Sequence, residues 1–466
     1  MSATHHRRQA ATAGALAALG VLTIVAALRP TGGSPGAGAA SEPTAPIVDV
    51  RRFPAVVAEA VGAQRLDAEL GRLAGGVEGC WAIDDGGVAI TTREPDRALR
   101  PASTLKMVTA AAALELLGPR HRFTTAAVAT GSGTPRALVL VGGGDPGLAT
   151  PRGVAAIAGD PERRGSPTTR LAALADRIAA TGLRSLPEGI RVDDARYDSV
   201  RYSPSWPDSY RATGQVGPVG ALTVDAGWRD PANRLGTPAD PAIATGEALA
   251  ALLEARGVDV GPVSRGAAPA GARTVASVTS APLREVVGGI LAASNNHGAE
   301  MLLKELAVTA GTRPGTSESG ARAARAALER LGVSTAGLEQ LDGSGLARDD
   351  RASCRTLLGV LQLGDRARFR ALRDGLAVAG ERGTLADRLA GSPLRGRLVA
   401  KTGTLNGTSG LVGTTTVRRP VGFALLLNGP LDEATAKARR EAMAAAIARF
   451  PDAPDPDTLV PVPGAP

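Results

Sequence analysis

The strongest constraint on the fold is the stretch GRLVAKTGTLNGTSGLVGTTTVRRPVGFALLLNG at 396–429. Its apolar runs, cut by short Gly, Asn and Pro turns, read as consecutive antiparallel strands. A helical pattern, EATAKARREAMAAAIARF at 433–450, follows. Such strands need partners and a cover of helices, and the rest of the chain offers both. FPAVVAEAVGAQRLDAELGRLAG, within 47–80, is helical, and 80–99 reads as a hairpin turning at Asp84–Gly87. Another helix begins near Ser103 and ends at Gly118–Pro119; more follow at 282–295, 297–311 and 319–332. The pattern predicts an α+β fold, an antiparallel sheet flanked by helices. Between 122 and 275 the chain changes to short, glycine-punctuated strands and loops, with helices near 169–183 and 246–256. That predicts a large, mostly β insertion. The expected layout is an export segment and linker (1–46), a discontinuous domain (47–121 with 276–450), the insertion (122–275) and a tail (451–466).

Aromatic residues are 2% of the chain, so the core must be Ala, Val, Leu and Ile. So few rings argue against a nucleic-acid stacking surface. The net charge of +8 is either an arginine-rich background or an attraction to an anionic polymer, such as a wall glycan or membrane surface. Two cysteines, Cys80 and Cys354, are too few for a metal cluster; they form one disulfide or remain two core thiols. No metal or cofactor is expected. HHRR at 5–8 precedes an uncharged run, QAATAGALAALGVLTIVAAL at 9–28, then a Gly/Pro/Ser/Ala linker. This is a secretory signal or a single N-terminal anchor, touching the membrane if uncleaved. The chain is therefore expected to work outside the cytoplasmic membrane.

Three short clusters carry chemistry. Ser103 and Lys106 lie three apart at a helix start, so they share a face. Free N–H groups in that first turn suit a developing oxyanion. A serine needs a base, and a lysine serves only when burial or a second cation keeps it neutral. A second cation exists: Lys401 stands in a strand, followed by Thr402 and Gly403, where glycine lets a substrate backbone approach. Between the two, AASNNHGAE at 292–300 places Ser294 and Asn296 at a polar break between helices. Helix capping is the ordinary alternative for that pair.

The order Ser-x-x-Lys, Ser-x-Asn, Lys-Thr-Gly is the signature of penicillin-recognising serine enzymes. The sequence resembles, more narrowly, the class C low-molecular-mass penicillin-binding proteins, the D-alanyl-D-alanine carboxypeptidase/endopeptidase family S13. LVLVGGGDPGL (138–148), RVDDARYDSVRYSPSW (191–206), GPVGALTVDAG (217–227), LDGSGLARDDRAS (341–353) and VAGERGTLADRL (378–389) carry the narrower likeness. The resemblance implies a serine β-lactamase/transpeptidase-like domain acting on peptidoglycan stem peptides and trapped by β-lactams. It implies Ser103 as nucleophile and Lys106 as its base. Ser294 and Lys401 would return the proton to the leaving amine, and Asn296 would orient the substrate amide. The oxyanion hole would be the N–H groups of Ser103 and Thr404, with Thr402 and Thr404 holding the terminal carboxylate. Asp145 would meet a stem-peptide amine and Arg348 would border the cleft, unless the first only shapes a turn and the second caps a helix. SNN replaces the SDN common among relatives.

Rival chemistries fit less well. A Ser-His-Asp triad has His297 beside the Ser-x-Asn motif, but the one G-x-S-x-G string, GGSPG at 32–36, falls in the Gly/Pro linker and is no strand-to-helix elbow. A zinc enzyme lacks H-E-x-x-H. A class A β-lactamase needs a deacylating glutamate, and no Glu has Asn four residues later. A catalytically weak wall-binding or penicillin-sensing protein would not need all three motifs. Oligomeric state, and whether carboxypeptidase or endopeptidase activity dominates, stay open.

Overall fold

The segment at 396–429 forms three strands, Leu398–Leu405, Thr408–Thr415 and Val421–Asn428, paired antiparallel with Lys401 opposite Val412 and Val412 opposite Ala424. The computed structural model describes residues 54–130 and 133–452. The expected export segment and linker, and the tail from 453 on, lie outside the described residues. The predicted hairpin forms as Glu78–Asp85 and Val88–Arg93 and joins the sheet through Ala82 opposite Ala424. A short strand, Ala377–Val378, completes six strands on the other edge, pairing only with Val399 and Ala400. The strand edge from Lys401 to Leu405 therefore has no sheet partner among the described residues.

Both faces of this sheet are covered, so its strands are apolar almost throughout. Successive residues point to opposite faces. Cys80, Ala82, Ala424 and Leu426 join a core with helices Lys106–Leu116, Leu283–Ala292, Asn296–Thr309 and Cys354–Leu363. Trp81, Ile83, Phe423 and Leu425 join a second core with the terminal helices Pro54–Ala74 and Glu433–Ala448. The two cysteines form a disulfide across the first core, tying strand Glu78–Asp85 to the start of helix Cys354–Leu363 over 274 positions of chain.

A second sheet takes five of the nine strands from Thr124 to Thr279, in the order Val263–Arg265, Ile190–Asp193, Leu138–Val141, Thr124–Ala129, Arg273–Thr279, and the other four form two two-stranded pairs. Helices Leu171–Ala179 and Pro241–Glu254, where the sequence placed helices, share its core, and a further helix, Pro151–Gly159, makes the segment richer in helix than its glycine-punctuated strands suggested. It docks on helix Asn296–Thr309 by a small apolar seam that includes Tyr197, Trp206, Met301 and Leu346. Polar groups lock the seam: Arg196 pairs with the buried Glu305, and Trp206 Nε1 donates to Asp342 Oδ2 at 2.6 Å. Among the described residues no helix is long and apolar enough to cross a membrane.

Candidate active site

Ser103 sits in a single 3₁₀ turn, Ala102–Leu105, that runs directly into helix Lys106–Leu116. Ala102 enters that turn at φ 47°, a left-handed conformation that costs energy in a residue with a Cβ. Two glycines leave room for it. A Cβ on Gly345 would stand 1.9 Å from Ala102 O, and one on Gly403 would stand 2.7 Å from Pro101 O. The glycine of Lys-Thr-Gly thus makes space for the serine turn, not only for a substrate backbone as the sequence suggested.

Lys106 is fully buried and its Nζ has three oxygen neighbours: Ser103 Oγ at 2.9 Å, Asn296 Oδ1 at 2.6 Å and Ser344 O at 2.7 Å. The carbonyl of Ser344 can only accept. Asn296 is fixed the same way round, because its Nδ2 donates to Gln215 O at 2.8 Å. Two acceptors therefore take the two N–H bonds of a neutral amine, and its lone pair faces Ser103 Oγ. Burial brings the Lys106 pKa down to about 7, against the pull of Asp342, Glu300 and Asp350. Ser344 is held by the loop that contains it: Asp342 accepts from the N–H groups of Ser344, Gly345 and Ala347. Buried Glu300 accepts from Gly343 N, and burial raises its pKa to about 8.

Lys401, also fully buried, donates to Ser294 Oγ at 2.9 Å and to Thr402 O at 2.8 Å. Burial first, then the charges of Lys106 and Arg440, hold its pKa well below the lysine range. Ser294 has φ 53°, a second left-handed residue at the site. The helix that follows is capped by Asn295, whose side chain accepts from Gly298 N at 3.0 Å. The middle residue of SNN does the capping, and both flanking residues are left for the site. Thr402 Oγ1 lies 2.9 Å from Thr384 Oγ1, and Thr404 Oγ1 accepts from Arg440 Nη1 at 2.5 Å. Gln215, Ser344, Thr384 and Arg440 escaped the sequence reading. They act through carbonyls or at long range, and no local spacing marks them.

The arrangement is a hydroxyl beside one neutral-capable lysine, a second hydroxyl beside another, and an open strand edge next to both. Comparison with known proteins decides which reaction this serves. The model of the D-Ala-D-Ala carboxypeptidase 3 (S13) family matches residues 63–234 and 229–450. The chain belongs to the S13 family. It is thus a D-Ala-D-Ala carboxypeptidase, a hydrolase, as the three motifs implied. A carboxypeptidase of Mycobacterium tuberculosis is 34% identical over 82% of both chains. A D-alanyl-D-alanine carboxypeptidase of Actinomadura is 32% identical over 86% of this chain and 89% of its own. Penicillin-binding protein 4 of Haemophilus influenzae shares the fold, with TM-score 0.67 and 19% identity over 81% of this chain and 99% of its own.

Within this S13 chain the structure brings Ser103, Lys106, Ser294, Asn296 and Lys401 together, with Thr402 and Thr404 along the strand. Asp145 and Arg348 are not part of that network. Asp145 is 2% exposed, and its Oδ1 accepts from Gly147 N at 2.8 Å, which shapes its own turn. Its segment still borders the site. Pro146–Ala149 face Ser294 and Asn296 across a cavity of about 100 Å³. Arg348 is exposed just beyond the loop that holds Ser344, and its carbonyl accepts from Arg351. His297 is buried with Nε2 3.2 Å from Pro218 O, and burial lowers its pKa to about 4. It is a neutral packing residue, which removes the triad reading.

Proposed function

We propose that the protein cleaves the terminal D-Ala-D-Ala bond of peptidoglycan stem peptides through an acyl-enzyme on Ser103. The observation that carries this is the three-oxygen setting of Lys106 Nζ, which leaves the lone pair on Ser103 Oγ. Lys106 takes the hydroxyl proton as Oγ attacks the penultimate carbonyl carbon. The oxyanion is received by the N–H groups of Ser103 and Thr404. As the C–N bond breaks, the leaving amine gains its proton through Ser294 Oγ and Lys401 Nζ. Asn296 holds the substrate amide, and the peptide lies along the unpaired strand edge beside Lys401. Water then releases the shortened peptide.

A β-lactam enters by the same attack, but its amine stays tethered, so the adduct persists. A stem-peptide crosslink ending on D-Ala offers the same carbonyl, which makes endopeptidase cleavage the same chemistry with a larger leaving group. The substrate and the disulfide both fit work outside the cytoplasmic membrane. The segment 1–46 directs the chain there and either anchors it or is removed.

The test is turnover of an acyl-D-Ala-D-Ala peptide together with labelling by fluorescent penicillin. Release of D-alanine and an adduct mapping to Ser103 are expected. Undiminished labelling of Ser103→Ala overturns the assignment.

A further inference from the structure

Arg440, on the terminal helix Glu433–Ala448, lies behind the strand that carries Lys401 and Thr404. It is 4% exposed. Its Nη1 donates to Thr404 Oγ1 at 2.5 Å and to Gly403 O at 3.1 Å, and its Nε is buried without a partner. No carboxylate pairs with it among the described residues. Its two acidic neighbours are taken, Glu441 by Arg388 and Glu433 by Lys437. Buried charges in folded proteins are normally paired, so this arginine lacks an anion. Burial and the charge of Arg388 bring its pKa down to about 10, the mark of a cation left short of compensation. Beside it a cavity of about 350 Å³ is lined by Thr384, Thr402, Thr404, Arg388, Lys437 and Arg440, and the carboxylates of Asp387 and of Glu162 from the insertion also border it without an ion pair to Arg440.

We infer that Arg440 is a positioning and selectivity residue whose missing counter-ion is the α-carboxylate of the leaving residue. An arginine has no acceptor, so Thr404 Oγ1 must accept from it. The Thr404 proton is then free to be donated into the cavity, toward a carboxylate oxygen. The same charge acts on Lys401, together with Lys106 and Glu162. Arg440 thus favours a leaving group with a free carboxylate and disfavours one whose carboxylate is amidated. This rests on the proposed reaction at Ser103, but binding tests it separately.

The experiment compares an acyl-D-Ala-D-Ala peptide with its C-terminal carboxamide, on wild type, Arg440→Gln and Arg440→Lys. Arg440→Gln should lose about ten- to hundredfold in kcat/KM on the carboxylate and change little on the carboxamide, because only a charge-assisted contact is removed. Arg440→Lys should recover part of that loss. The alkaline limb of the pH profile, where Lys401 gives up the proton destined for the leaving amine, should move alkaline in Arg440→Gln, because a cation that depresses Lys401 is gone. Each variant is also placed on Ser103→Ala, and binding of the two peptides is measured by calorimetry. There, the carboxylate preference should fall with Arg440→Gln whatever the identity of the nucleophile. Equal losses on both peptides, or a carboxylate preference unchanged in either background, overturn the inference. Should Arg440→Gln not fold, a Lys variant whose carboxylate preference is no greater than for the carboxamide does the same.

Discussion

Lys106 Nζ stands 2.6 Å from Asn296 Oδ1, although 190 positions separate the two residues. The contact makes Asn296 part of the base, beyond any grip on a substrate. Asn296→Asp puts a negative charge beside the ammonium form and should raise the Lys106 pKa by about 1–3 units. Acylation by penicillin, followed against pH, should then need a more alkaline solution. An unmoved profile would remove Asn296 from the base.

In the unmodified protein the acylation rate should rise through about pH 7, where Lys106 gives up its proton. Lys106→Ala should slow acylation about 10²–10⁴-fold and abolish that limb. Stopped-flow labelling across pH 5–9, on the order of the range lysine must cross, reads both effects. A flat profile counts against a lysine base.

Burying Lys106 costs stability, and the sign with pH is defined. Its folded pKa of about 7 lies below the ordinary 10.5, so the unfolded chain holds its proton more tightly. This contribution is greatest above 10.5 and is lost as pH falls through about 7. Glu300, raised to about 8 from 4.5, acts oppositely and loses its contribution as pH rises from 4.5 through 8. Lys106→Met should therefore melt higher than the parent below pH 7, by about 0.5–2 kcal/mol, while losing acylation. Calorimetric melts at pH 6 and pH 10 decide it: a variant less stable at the lower value refutes the buried-charge account.

Asp342→Ala removes the acceptor for Ser344, Gly345 and Ala347 N–H and for Trp206 Nε1. The loop that places Ser344 O on Lys106 should slacken, with a stability loss of about 1–3 kcal/mol for the stranded donors. Acylation should fall by more than the unfolded fraction explains. Unfolding curves run beside labelling kinetics separate the two effects.

Opening the Cys80–Cys354 disulfide, by Cys80→Ser with Cys354→Ser, should cost about 2–5 kcal/mol in denaturant unfolding. Labelling of Ser103 in the surviving folded fraction should continue, since neither cysteine touches the site network. Its loss in folded protein would show that the link also positions the site.

The α+β class and the sheet at 396–429 were legible because alternation and turn residues act locally. The Ser103, Ser294 and Lys401 centres were legible because each is marked by a neighbour at fixed spacing. The pairing of Cys80 with Cys354 was not, since two cysteines alone do not state their distance. Asp145 stays open between a turn and a ligand, because an Asp before Pro serves both equally well in sequence. The partners that tune Lys106 were invisible: Ser344 contributes a carbonyl, Gln215 another, and a carbonyl belongs to every residue. Arg440 was one arginine among many until the fold set it behind Thr404 without an anion.

Lys106 gathers its partners from far along the chain, with Ser103 beside it and Asn296, Ser344 and the Lys401–Ser294 pair downstream. Ser103 emerges early from the ribosome and Lys401 late. No early fragment contains the groups that keep Lys106 neutral and aimed. A chain made N-terminus first carries an inert serine until the strand Leu398–Leu405 arrives. Reactivity is thus timed by assembly: the enzyme arms itself only when folding is complete, and a chain that stops short carries no activated serine.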